Sequence, residues 1–302
     1  MLSAAPLCGF LNLLKPPGCS SAAAVGYVRR LLGGVKAGHA GTLDPEAAGV
    51  LPVMVGKAAR LFDDLQDKEK AYVAEVAFGV ATDTQDAQGR AIAVGDRYPD
   101  AQALAQALRA FEGEQWQTPP SYSAVKQDGK RLYQLARAGV EAQAQPRRVV
   151  AHELRLMRMT GDHGALLSVR CSKGFYVRTL CHDLGRALGC PAHLRFLLRT
   201  QSGPFTLETA LPLEEVARRA REGRLRLIPP ETALSRLPCV QAPAALAFAA
   251  RTGQTMPWRA FAPLLPPEAA QGAPFFLRLD GELLGVAVRM GDGVRLRTWL
   301  GA

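Results

Sequence analysis

The chain has 302 residues, of which 48% are hydrophobic, a composition typical of a folded protein and not of a disordered one. Its net charge of +10 and its pI near 9.6 favour polyanionic partners such as nucleic acid. The alternative is a basic enzyme with no nucleic-acid partner, which can carry the same excess of positive charge. No apolar run approaches the ~18 residues of a membrane span, and the six scattered cysteines include no CxxC pair, which argues against a disulfide framework and a zinc ribbon.

The first 65 residues predict a strand, a helix, a bent loop and a second helix. Residues 9–14 (GFLNLL) form an apolar run typical of a buried strand. Ser20 and Ser21 are suitable N-caps for a helix that ends at the glycine pair 33–34. The next segment, KAGHAGTLDPEAAGVLP, is rich in glycine and proline, which favours a bent loop over a regular element. The second helix is predicted at about 57–65.

The middle of the chain mixes strands and helices without regular alternation. Residues 72–78 alternate like a half-buried strand, and the polar turn TDTQDAQG follows them. A short amphipathic helix is predicted at 101–111, strands at roughly 149–159 and 165–172, and a further helix from near Phe175. This order predicts an α+β fold with a mixed, mainly antiparallel central sheet flanked by helices.

A basic stretch lies within this region. Residues 121–150 carry six basic residues against two acidic ones, together with Tyr122 and Tyr133. Such a stretch is typical of an arm that lies along the phosphates of a nucleic acid. Its basic residues are Lys126, Lys130, Arg131, Arg137, Arg147 and Arg148.

The C-terminal part predicts a small β-rich module. Four prolines between positions 229 and 243 precede a segment in which DG at 280–281 and GDG at 291–293 separate alternating strands. A chain of this length usually forms more than one core. We therefore divide it into a large domain of residues 1–235 and an accessory module of residues 236–302.

Asp44 is the strongest candidate for a chemical role. It precedes Pro45, which keeps Asp44 out of the helical region and lets its carboxylate point away from its own backbone into a cleft. The glycines on both sides allow a substrate to approach closely. The alternative is that Asp44 only caps a turn, as aspartates before proline often do.

Two other segments supply possible partners for this carboxylate. Arg178, in CSKGFYVRTL, lies at the entry to a helix and could hold Asp44 ionised, although an isolated surface arginine is the simpler interpretation. The ring of His39 could stack on a displaced base, or the residue could be an ordinary polar one. Spacing argues against a metal site among Cys171, Cys181, His182, Cys190 and His193.

Taken together, these segments resemble the TruB-type tRNA pseudouridine synthases, which in bacteria act on uridine 55 in the T loop of tRNA. The resemblance extends from about Gly9 to Phe205. The matching segments are LKPPG at 14–18 with SS at 20–21, GHAGTLDPEAAGVLP at 38–52, KAY at 70–72, TDTQD at 82–86 with Gly89, PPSYSAVK at 119–126, Gly129, Tyr133, ARAG at 136–139, SKGFYVRTL at 172–180, DLG at 183–185, and LRT at 198–200 with Gly203 and Phe205.

The resemblance implies a pseudouridine synthase fold and a role for each matching residue. Asp44 would be the catalytic aspartate, Tyr72 would stack on the target base, and Arg178 would pair with Asp44. His39 would stack in the reorganised T loop. Lys15, Lys173 and Tyr176 would line the pocket or hold RNA. The stretch 121–150 would act as an RNA-gripping thumb, with Lys126, Arg147 and Arg148 as further RNA contacts. By position, residues 236–302 would be a PUA-like RNA-binding module.

The implied reaction is an isomerisation of uridine by base flipping, glycosidic bond cleavage and formation of a C-glycoside. It needs neither redox change nor energy input, so we expect no cofactor and no metal. The expected partner is the T stem-loop of tRNA, and the protein is expected to be a soluble, cytoplasmic monomer. The alternatives are a non-catalytic tRNA-binding or tRNA-folding protein that uses the same basic surface, and a synthase of the guide-RNA type, which the lack of a long basic tail disfavours.

Overall fold

The described part of the protein has a ten-stranded mixed sheet, a five-stranded sheet and two small two-stranded sheets. The computed structural model describes residues 7–66, 69–120, 126–127, 130–131, 144–161, 163–266 and 272–301. In chain order the elements are β1 (Gly9–Lys15), α1 (Ser21–Leu31), β2 (Ala37–His39), β3 (Ala48–Val55), α2 (Phe62–Gln66), β4 (Lys70–Phe78), β5 (Val80–Thr82), β6 (Ala91–Val94), α3 (Ala101–Ala110), β7 (Gly113–Gln117), β8 (Lys126–Gln127), β9 (Lys130–Arg131), β10 (Arg147–Thr160), β11 (Gly164–Cys171), α4 (Val177–Ala187), β12 (Ala192–Ser202), β13 (Phe205–Thr206), β14 (Leu211–Pro212), α5 (Leu213–Arg221), α6 (Pro230–Ala233), β15 (Cys239–Gln241), α7 (Ala247–Thr252), β16 (Met256–Pro257), β17 (Pro274–Leu279), β18 (Glu282–Met290) and β19 (Gly293–Trp299).

The large sheet has the strand order β14-β1-β3-β12-β4-β11-β10-β7, with β2 paired to β3 and β13 paired to β12. Only the β1–β14 and β3–β12 pairs are parallel. The remaining pairs are antiparallel, which confirms the predicted α+β fold with a mixed, mainly antiparallel sheet.

Helices cover the sheet where its strands are apolar. Leu104 and Leu108 of α3 and Leu180 and Leu184 of α4 pack with strands β4, β10, β11 and β12 in one core cluster. Helices α1 and α5 cover β1 and β3 through a second cluster. All eight residues of β3 are buried, as expected for a strand covered on both faces.

Most predicted elements are present, with differences at their ends. The Ser20 side chain caps α1 by accepting from the amide of Ala23 at 3.1 Å. The predicted helix at 57–65 is a 3-10 helix, Gly56–Leu61, followed by the short α2. The predicted bent loop is shorter than expected, because its two ends form β2 and β3. Strand pairing therefore overrides the local preference of this glycine-rich segment.

The C-terminal β-rich module is a five-stranded sheet in the order β15-β17-β18-β19-β16. Its β17–β18 hairpin turns at Asp280 and Gly281, both with positive φ, as the DG signal predicts. Phe276 and Leu300 share a core cluster with Phe10 of β1, so the two sheets pack directly on each other. The domain division at residue 235 and the PUA-like assignment stay predictions.

Candidate active site

The loop between β2 and β3 carries Asp44 and is held in a tight bend. Gly49 has a φ of +117°, and a Cβ there would lie 2.2 Å from the backbone oxygen of Arg199, so only glycine allows β3 and β12 to approach this closely. The amide of Ala47 donates to the backbone oxygen of Asp44 at 3.1 Å. A backbone bond therefore closes the turn, and the Asp44 carboxylate points elsewhere.

That carboxylate pairs side-on with Arg178, the second residue of α4. Nε of Arg178 lies 3.0 Å from Oδ2 of Asp44, and its Nη2 donates to Oδ1 at 3.2 Å. The arginine side chain is 5% exposed whereas that of Asp44 is 43% exposed. The guanidinium is thus a buried, rigid support, and the carboxylate that it orients still faces open space.

A second carboxylate, which sequence analysis did not single out, completes this network. Nη1 of Arg178 lies 3.3 Å from Oδ2 of Asp86 and donates to the backbone oxygen of Thr84 at 3.2 Å. The Thr84 hydroxyl donates to Oδ1 of Asp86 at 2.6 Å, and the Gln88 amide donates to the same oxygen at 3.1 Å. The signal available in the sequence was the polar turn TDTQD after β4. It indicated a loop but not its contact with Arg178.

The network sets the protonation of Asp44. Burial by the walls of the cleft raises its pKa above the ordinary value; Arg178 opposes this shift and Asp86 adds to it. One guanidinium shared by two carboxylates leaves an excess negative charge near Asp44. The carboxylate of Asp44 is therefore more basic than that of a solvent-exposed aspartate, which suits proton transfer or nucleophilic attack.

Lys15 has a structural position, and its expected role at the pocket or the RNA stays a prediction. Its side chain is completely buried, and Nζ donates to the backbone oxygens of Pro16, Cys19 and Pro45 at 2.8, 2.7 and 2.9 Å. These bonds tie the end of β1 to the residue after Asp44. A lysine enclosed in this way can fix the loop that carries the carboxylate.

Arg199 of β12 is a second buried cation that sequence analysis did not assign to the site. Its side chain is 1% exposed and donates to the backbone oxygens of Val50, Gly41 and Thr42 at 2.7, 3.0 and 3.5 Å. It also lies opposite Tyr72 of β4 in the strand pairing, and the two side chains influence each other's pKa. Arg199 thus links the Asp44 loop to the strand of Tyr72.

The cleft in front of Asp44 has a volume of about 600 Å³, within the range of small-molecule sites. Ser20, His39, Glu46, Gln88, Arg195, Phe196 and Leu197 line it together with Asp44, Asp86 and Arg178. His39 is therefore at the cleft, as the stacking prediction requires. Tyr72 is not among the lining residues that the structure describes. Its ring is 8% exposed, and burial raises its pKa to about 12.

Among the described residues, four other predicted RNA contacts, Lys173, Tyr176, Arg147 and Arg148, are absent from the lining of this cleft. Lys173 is exposed, and Tyr176 precedes α4 with its amide donating to Oε1 of Gln117 at 2.8 Å. Arg147 and Arg148 are exposed at the start of β10, where Arg148 pairs with Glu114. The Lys126 side chain and most of the basic stretch lie outside the described residues.

Two general properties bear on the expected partners. Within the described ranges, no three His, Cys, Asp or Glu side chains converge as a metal site would require. In the same part of the chain, no helix has the length and apolar character needed to cross a membrane. The expectations of a cofactor-free reaction and of a monomer stay predictions.

Family models match two adjacent parts of this chain. Residues 29–177 match the family described as TruB family pseudouridylate synthase (N terminal domain), and residues 178–235 match the tRNA pseudouridylate synthase B C-terminal domain. The tRNA pseudouridine synthase B of Symbiobacterium thermophilum is 54% identical over 235 residues, which cover 77% of each chain. That of Burkholderia mallei is 43% identical over 288 residues, covering 95% of this chain and 94% of the relative.

A solved structure shares nearly the whole fold. The crystal structure of a Cbf5-Nop10-Gar1 complex contains a chain that superposes with a TM-score of 0.72 at 27% identity, covering 96% of this chain and 84% of the other. The similarity therefore includes both the large sheet and the C-terminal sheet.

Proposed function

Because this chain belongs to the TruB family of pseudouridylate synthases, we propose that it converts uridine 55 in the T loop of tRNA to pseudouridine with Asp44 as its catalytic carboxylate. The chain is an isomerase, and the relatives named tRNA pseudouridine synthase B support tRNA as its substrate. The choice of uridine 55 and the role of each side chain belong to the proposal.

The observation that carries this proposal is the arrangement of Asp44. Its carboxylate is oriented by two nitrogens of a buried guanidinium and opens into a cleft large enough for a pyrimidine nucleotide. The reaction breaks the bond between N1 and C1′, turns the base, joins C5 to C1′, and moves the C5 proton away while N1 gains one. A single carboxylate can attack C1′, add to C6 of the ring, or remove a sugar proton, and each route detaches the base.

Binding must first bring the uridine out of the folded T loop. Extrusion costs a few kcal/mol, which stacking and phosphate contacts offset. The location of His39 at the cleft supports a stacking role, and the exposure of Lys173, Arg147 and Arg148 supports phosphate contacts. Stacking on Tyr72 requires the atoms that cover its ring to move, because the ring is nearly buried.

The test is pseudouridine formation on an unmodified tRNA transcript, without added metal or nucleotide and with the product mapped by chemical labelling. We expect one pseudouridine, at position 55. Asp44→Asn should abolish turnover and leave tRNA affinity within a few-fold of wild type, since the two side chains have the same size. Asp96→Asn, which changes an exposed aspartate, is the matched control. Substantial turnover by Asp44→Asn would refute the catalytic assignment, and product at another position would refute the choice of site.

A further inference from the structure

Strand β12 contains a bulge where it borders the cleft. A register shift between Leu194 and Phe196 makes Arg195 an extra residue of β12 relative to β4. In a regular strand, residues two apart face the same side, so Phe196 would follow Leu194 into the core. The extra residue moves this alternation by one position, and Leu197 joins Leu194 in the core cluster instead. The bulge therefore turns the Phe196 ring out of the core.

The Phe196 ring is an exposed part of the cleft wall. Residues 194–197 line the same cleft as Asp44. Phe196 is 40% exposed, whereas Leu194 and Leu197 are 5% and 9% exposed. An exposed phenyl ring contributes less to folding than a buried one, but it offers a flat apolar face to a ligand that enters the cleft.

The charges of the cleft favour an uncharged ligand group. Arg178 is already shared by Asp44 and Asp86, and Arg195 lies 3.1 Å from Oε1 of Glu75. An excess of carboxylates repels a phosphate group. A nucleobase is neutral at pH 7 and has flat faces that stack on aromatic rings, so it is the part of an RNA that this wall accommodates. The carboxylates and guanidiniums that line the cleft, among the residues described, are those of Asp44, Glu46, Asp86, Arg178 and Arg195.

Phe196 and Tyr72 face opposite sides of the large sheet. Tyr72 and Glu75 are three residues apart on β4, and side chains alternate between the two faces of a strand. Phe196 is the partner of Glu75 on β12, so its side chain lies on the Glu75 face. A single base therefore cannot stack on both rings. Because Tyr72 is the proposed platform for the target uracil, Phe196 is left for a different base.

We propose that Phe196 stacks on the nucleobase of a nucleotide directly adjacent to the target uridine in the T loop. This inference rests on the proposed function, because it takes that uridine as the target and Tyr72 as its platform. An adjacent nucleotide is the natural occupant, since the continuous RNA backbone brings neighbouring nucleotides into one cleft together. The stacked neighbour holds the RNA in place beside Asp44, so Phe196 acts on affinity rather than on the chemical step.

The test combines equilibrium binding of an unmodified tRNA transcript with single-turnover pseudouridine formation. Phe196→Ala should raise the Kd about fivefold to a hundredfold, as expected for the loss of one base–aromatic stack. It should leave the maximal rate within about threefold of wild type, since no transition-state contact is removed. The dependence of log affinity on log salt should stay that of wild type, because no charge is lost.

Conservative variants and a matched control separate stacking from packing. Phe196→Tyr and Phe196→Trp keep a flat ring and should retain most of the affinity. Phe196→Leu keeps apolar bulk without a flat face and should recover little of it. The control is Phe62→Ala, which removes a ring of similar exposure, 39%, from α2 outside the cleft lining. It should bind and react as wild type does.

Altered substrates identify the base that Phe196 contacts. Transcripts with a single abasic nucleotide on the 5′ side, on the 3′ side or at the target position remove one base at a time and leave the backbone intact. Wild type should bind one of the two neighbouring abasic transcripts more weakly. At that position the abasic change and Phe196→Ala should not add, since both remove the same contact. At the target position they should add.

The outcomes separate this inference from the proposed function. If wild type forms no pseudouridine, the proposed function fails, and the binding measurements still decide whether Phe196 contacts a base. If wild type is active and Phe196→Ala binds like wild type, only the stacking role is refuted. Full additivity at both neighbours, or non-additivity at the target position, would also refute it. Thermal melting tests folding: recovery of both affinity and melting temperature by Phe196→Leu would show that the side chain acts through packing.

Discussion

Asp86 provides the sharpest test of the Arg178 network, because it touches the guanidinium but is separated by it from Asp44. Asp86→Asn keeps the size of the side chain and removes its charge. The affected contact is the 3.3 Å approach of Nη1 to Oδ2, made by an arginine that is 5% exposed. A hydrogen bond between charged groups contributes about 1.5 to 3 kcal/mol, so the loss of positioning should lower the maximal rate about tenfold to a hundredfold.

The same change should alter the pH dependence in a defined direction. Asp86 raises the pKa of Asp44, so its neutralisation lowers that pKa. If ionised Asp44 is the active form, the acid limb of the pH–rate profile should move to lower pH in the variant. A variant that merely damaged the fold would be slow at every pH without this shift.

Single-turnover rates measured from about pH 5 to 8 on a tRNA transcript give both quantities for Asp86→Asn. Asp83→Asn is the matched control in the same turn: Oδ1 of Asp83 accepts from the Arg90 amide at 2.9 Å and does not contact Arg178. We expect the control to retain the rate and the acid limb of wild type. A rate for Asp86→Asn within twofold of wild type, or a slower rate with an unmoved acid limb, would contradict the assignment of Asp86 as a positioning residue.

Three further predictions concern stability. The pKa of Asp44 is raised in the folded protein, so protonation of Asp44 favours folding at low pH, and this contribution is lost as the pH rises through that pKa. Asp44→Asn should therefore melt at or above the wild-type temperature at pH 7. A lower melting temperature would count against the raised pKa. Lys15→Met should reduce the free energy of unfolding measured in urea by at least about 3 kcal/mol, since three backbone oxygens lose their donor, and a loss below about 1 kcal/mol would contradict its structural role. Gly49→Ala should lower the free energy of unfolding by about 3 kcal/mol or more and reduce activity. Gly18 also has a positive φ but no atom within 4 Å of an added Cβ, so Gly18→Ala should lower it by only about 1 kcal/mol. Equal losses of stability would show that contact with Arg199 is not the cause.

Local patterns are sufficient to predict the class of fold, and the ordered motifs are sufficient to predict the family. The apolar runs of β1 and β4 and the Ser20 cap depend on neighbours within a few residues, so local rules predicted them. The local geometry of an aspartate before proline makes Asp44 a candidate but also fits a turn cap, so its catalytic role follows from the resemblance and stays a prediction. Arg178 was a reasonable partner on chemical grounds, and the fold brings it to 3.0 Å across 134 residues.

The contacts made by the cations around Asp44 depend on the folded arrangement of distant segments. Lys15 is buried. Arg199 donates to the backbone oxygen of Gly41, which lies 158 residues away in the sequence. Arg178 donates to the carboxylate of Asp86, 92 residues away. Periodicity indicates which face of a strand is apolar, but it cannot indicate that a charged side chain enters the core to satisfy backbone oxygens of a distant loop. Those contacts exist only once the sheet has aligned β1, β3, β4 and β12, because strand order, rather than any local pattern, brings the loop ends together.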